Sequence, residues 1–80
     1  MEKFMEELRK LLYQFEGGKY LASEMESALI GWYESCVNEM AFANARNELS
    51  SMDFAKNQKS LLYSYKRAMD IVYFIQDCRA

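Results

Sequence analysis

Histidine is absent from the 80 residues, so any chemistry would fall to carboxylates and to two thiols, Cys36 and Cys78. That removes the commonest general base and the commonest transition-metal ligand. The carboxylates are many, but they recur at the spacing of a helix surface. Glu24 and Glu39 are too scattered to nominate as an acid–base pair. No Glu-x-x-His pattern exists, which excludes the usual di-iron bundle. The cysteines form no zinc-type spacing. The glycines of "EGGK" at 16–19 lack the preceding strand and the spacing of a phosphate loop. The expectation is therefore a non-enzyme, with no catalytic, cofactor-binding or metal-binding residues.

Recognition is the chemistry left to consider. Lys56, Lys59, Lys66 and Arg67, with Tyr63 among them, could follow a phosphate backbone. The chain as a whole is acidic, at net −2, which argues against a nucleic-acid binder. Four bases on one helix more often form a solvated face. A second set is apolar. Tyr63, Arg67, Ile71 and Phe74 recur at i, i+4, i+8 and i+11, close together on the side of their helix opposite its core stripe. Tyrosine and arginine beside apolar residues have the composition of interface hot spots. Phe42 projects from the charged side of the second helix and joins this candidate partner-binding set.

Three helices must position these residues. Proline and threonine are absent, helix formers dominate, and turn signals occur only at 16–19 and 48–53. The predicted helices span roughly 2–15, 20–48 and 52–78, within one domain of residues 1–80. Phe4, Met5, Leu8, Leu11, Leu12 and Phe15 form the inward stripe of the first, and Gly17 offers it a left-handed stop. The second turns Leu21, Met25, Ala28, Leu29, Trp32, Cys36, Val37, Met40 and Ala43 inward, with Tyr33 at the edge. Gly31 marks a kink, a close backbone approach or an unimportant solvent position. The third, capped by Ser50 or Ser51, turns in Phe54, Leu61, Leu62, Tyr65, Ala68, Met69, Val72, Tyr73 and Ile75.

Short loops force antiparallel neighbours, so the expected fold is all-α, an up-down-up three-helix bundle. Its first helix is short, and its second and third form a long hairpin. On these lengths the first helix shields only half of the hairpin. Met40, Ala43, Phe54, Leu61 and Leu62 would be half covered at the other end, a candidate homodimer interface. The competing expectation is an early break of the second helix near Asn44 or Asn47, with a polar tip.

Charge supports the hairpin. Residues 20–49 are net −4 and residues 50–80 net +2, which suits adjacent antiparallel helices. The N-terminal "MEKFMEELRK" mixes charge with apolar residues, unlike a leader peptide. No apolar run approaches the roughly 20 residues of a membrane span. The first helix lacks the basic polar face of a lipid-binding helix. The resulting expectation is a cytoplasmic protein with reduced thiols and no membrane contact. Its function would be binding a protein partner as an adaptor, regulator or stoichiometric inhibitor, such as phages and mobile elements encode. A nucleic-acid-associated regulator and a structural subunit of a larger assembly are the alternatives.

Overall fold

The computed structural model describes residues 1–79. Three helices, α1 (Glu2–Glu16), α2 (Ala22–Ala45) and α3 (Ser51–Arg79), form an all-α three-helix bundle, with α2 and α3 packed most closely. Among the described residues no helix is long and apolar enough to cross a membrane.

The helix ends follow from a few residues. α1 and α2 stop in the same way. Gly18 takes φ +85°, while the N–H groups of Gly18 and Lys19 reach back to the carbonyls of Phe15 and Gln14. Asn47 takes φ 60°, while the N–H groups of Asn47 and Glu48 reach back to Asn44 and Ala43. Both are the paired return bonds of a left-handed helix stop. The sequence pointed to Gly17 as the stop. Gly17 keeps a right-handed φ of −72° and the reversal falls one residue later.

α2 starts at Ala22, where the Glu24 carboxylate accepts the Leu21 N–H at 2.8 Å. Leu21 lies before the first helical turn and is 70% exposed, so it leaves the expected inward stripe. α3 is capped by Ser50, whose Oγ accepts the Asp53 N–H at 3.1 Å. Gly31 sits inside an unbroken α2, exposed, with open space where a side chain would go. Neither a kink nor a backbone approach requires it.

One core runs through the bundle. Phe4, Leu8 and Phe15 of α1 meet Met25, Leu29, Trp32, Cys36 and Met40 of α2 and Leu61, Ala68 and Val72 of α3. The Trp32 indole N–H donates to the Phe4 carbonyl at 2.9 Å, so α1 satisfies the buried indole of α2. At the other end of α1, the Arg79 guanidinium donates to the carbonyls of Phe15 and Glu16 at 2.7 and 2.8 Å. It also lies 4.7 Å from the centre of the Phe15 ring. α1 has no basic residue in its own last turn, and Arg79 supplies the cation that its negative end favours.

The expected half-covered hairpin end is smaller than the sequence suggested. α2 ends at Ala45, which matches the early break rather than the longer helix to 48. A shorter α2 is covered for more of its length. Lys3 reaches Glu39 at 3.1 Å, and Met40 and Leu61 are buried at 4% and 0% exposure. Those two residues belong to the chain's own core. Ala43 and Phe54 are half-buried, and Leu62 is exposed at 38%. The tip beyond them closes on itself: Asn44 Nδ2 donates to the Leu49 carbonyl and to Ser51 Oγ.

Candidate functional site

Carboxylates can be placed first. Glu24 and Glu39 lie 15 residues apart on one unbroken helix, about 22 Å at the α-helical rise. That is far beyond the roughly 5–9.5 Å that separates working carboxylate pairs. Each is engaged locally, Glu24 at the start of α2 and Glu39 with Lys3, whose ammonium is held above its ordinary pKa by that hydrogen bond. Among the described residues no three His, Cys, Asp or Glu side chains converge as a metal-ligand set. Cys36 is buried and Cys78 exposed, both free. Burial pushes the Cys36 thiol up to about 11, the setting of an inert core thiol.

The apolar candidates are brought together in part. Tyr63, Arg67 and Ile71 of α3 line a groove of about 280 Å³ whose opposite wall is Met5, Arg9 and Leu12 of α1. The elements explain the groove. α1 packs over the α2–α3 seam, and the side chains of α3 just outside that seam form one bank. Tyr63 is 67% exposed and Ile71 39%. Phe74, 69% exposed, follows Ile71 by three residues and stands beyond the groove. Phe42 is not part of this surface. It lines a separate depression of about 530 Å³ at the hairpin tip, with Met1, Glu39, Arg46 and Asn57.

The basic residues Lys56, Lys59, Lys66 and Arg67 are all exposed, and none is within 4.0 Å of an acid among the described residues. Arg9, across the groove from Arg67, makes only a long contact to Glu2 at 3.6 Å, both side chains being largely exposed. The groove therefore pairs an apolar floor with two exposed guanidinium groups.

Two features lay outside the reach of the sequence. The first is a depression of about 560 Å³ beside the α1–α2 turn, where the Tyr73 hydroxyl donates to Glu26 at 2.6 Å. Tyr73 was expected inside and is 47% exposed, held at the α2–α3 rim by that bond, which also raises its pKa. The second is the side of the hairpin that α1 leaves open. There Tyr33 and Tyr65 meet ring to ring at 5.8 Å, only half-buried.

No protein-family model, curated protein or solved structure matches this chain.

Proposed function

We propose that the protein is a small helical protein-binding module whose α1–α3 groove receives an apolar side chain of a partner. The observation that carries this reading is the convergence of Tyr63, Arg67 and Ile71 with Met5, Arg9 and Leu12 around one groove. An amphipathic segment with acidic residues is the chemistry that fits. Its apolar side chain enters between Ile71 and Leu12, and its carboxylates meet Arg67 and Arg9. Tyr63 and Phe74 extend the contact as rigid aromatic anchors. The action is steric: the domain blocks or bridges its partner as adaptor, regulator or stoichiometric inhibitor. Free thiols at Cys36 and Cys78 suit a reducing, cytoplasmic setting.

The test is a photo-crosslinking residue at position 71 in the native host. A discrete crosslinked product that disappears with Arg67→Glu, while the melting temperature stays unchanged, supports the groove. Absence of any product from position 71 removes it. A second reading, a nucleic-acid-associated regulator, rests on the four α3 bases without acid partners. A low-salt DNA or RNA shift that Lys59→Glu with Arg67→Glu leaves unchanged excludes it.

A further inference from the structure

α1 covers one side of the α2–α3 hairpin, through Trp32 and Lys3, and leaves the other side open. On that open side the two helices carry the same spacing: Ile30, Tyr33 and Val37 on α2, and Leu62, Tyr65 and Met69 on α3. Each set falls at i, i+3 and i+7, one face of a helix. Ile30 and Leu62 are 45% and 38% exposed, and the other four are half-buried. We propose that this face is the interface of a twofold homodimer, in which a second copy supplies the missing layer and the four long helices form an antiparallel bundle.

Register and charge choose a second copy as the occupant. The Tyr33–Tyr65 ring contact and the Tyr73–Glu26 bond place residue 33 level with 65, and 26 level with 73. A twofold axis parallel to the helices keeps every residue at its own level and lays α2 of one copy on α3 of the other. Ile30 then meets the level of Met69, and Val37 that of Leu62. Glu34 follows Tyr33, and Lys66 follows Tyr65, so both stand on the outer rims of this face. They sit within about 3 Å of the same level. Neither has an ion-pair partner among the described residues. The dimer forms two such pairs by symmetry. An axis across the helices would lay α2 on α2 instead, acid against acid, in a segment of net charge −4. Area permits the contact: the molecule measures 47 by 18 by 18 Å, and a standard interface takes about 800 Å² from each partner. α1 lies on the opposite side and obstructs nothing.

Sedimentation and light scattering at low salt, across a concentration series, test this. The expected result is a wild-type dimer. Glu34→Lys and Lys66→Glu each place like charges opposite one another and weaken it about tenfold or more, and the double swap restores it. All these positions are exposed, so the fold survives. A second arm uses Glu34→Cys with Lys66→Cys in a Cys78→Ser background. These two rims lie on opposite edges of one protomer, so oxidation yields a covalent dimer only if the copies pack as stated. A strict monomer at high micromolar concentration, a dimer indifferent to the single swaps, a double swap that does not recover, or no covalent dimer would each overturn the proposal.

Discussion

The two sides of the α2–α3 hairpin are built from different residues. The side under α1 is closed: Met25, Leu29, Trp32, Cys36 and Met40 are at most 6% exposed. Their packing is methionine, leucine and aromatic, with one indole hydrogen bond across to α1. The open side is richer in tyrosine. Tyr33, Tyr65 and Tyr73 present apolar rings while their hydroxyls can stay in water or, for Tyr73, on Glu26. The closed side is where folding free energy concentrates, because burial there is complete. The open side is composed to tolerate both water and contact.

The sharpest way to break this distinction is to truncate each side in dilute solution. Trp32→Ala should cost about 3–5 kcal/mol, enough to unfold a domain of this size, because it opens a cavity and strips the indole from Phe4. Tyr33→Ala should cost about 1 kcal/mol, since part of its ring is already wet. Equal losses by denaturant titration would mean that both sides are core. Between these two lies a pH effect. The buried Cys36 thiol has its pKa raised to about 11. A raised thiol pKa means that the unfolded chain loses its proton first. Stability should therefore fall as pH rises from the ordinary thiol range to about 11, by at most about 1.4 kcal/mol per pH unit. Comparing Cys36→Ala with wild type isolates that slope, and identical alkaline profiles would place the thiol outside the core. Gly31→Ala, on the outer surface of α2 with open space around it, should stabilise by about 0.4–1 kcal/mol. A loss would mean that something packs against that glycine. The smallest effect belongs to Tyr63→Ala with Phe74→Ala, which should leave thermal stability within about 0.5 kcal/mol. A large drop would make those rings structural and empty the groove of its proposed role.

The number and order of helices were legible because turn signals are few and the stripe of α1 is clean. Phe4, Met5, Leu8, Leu11, Leu12 and Phe15 all end buried or half-buried. The α3 cap was legible to within one residue, Ser50 or Ser51, because capping is a local interaction. The earlier end of α2, near Asn44 or Asn47, stood beside the longer helix to 48, and Ala45 decides for it. What the sequence left open was how far α1 slides along the hairpin. That position depends on contacts between distant residues, Lys3 with Glu39 and Arg79 with Phe15, and no local pattern encodes them. The error over Met40 and Leu61 follows directly, since their burial depends on that position. Leu62 and Tyr73 show a related limit. A nine-residue stripe on α3 is wider than two neighbours can cover, and periodicity alone does not say which edge stays wet. Tyr63, Arg67 and Ile71 could be grouped from spacing, but their opposite wall on α1 could not. Phe42 was grouped with them because it projects from the charged side of its helix, and it lies elsewhere.

Arg79 joins positions 63 and 64 residues apart when it grips Glu16 and Phe15. This has a consequence for how the chain assembles as it is synthesised. The α2–α3 hairpin can zip from its turn outward, as far as Tyr73 on Glu26, 47 residues apart. The clasp on the end of α1 must wait for the last turn of α3 to be made. The end of α1 around Phe15 and Glu16 should accordingly be the last part to gain protection in a hydrogen-exchange pulse during refolding, and the first to lose it. Arg79→Ala should widen that gap while leaving the hairpin's own protection nearly unchanged.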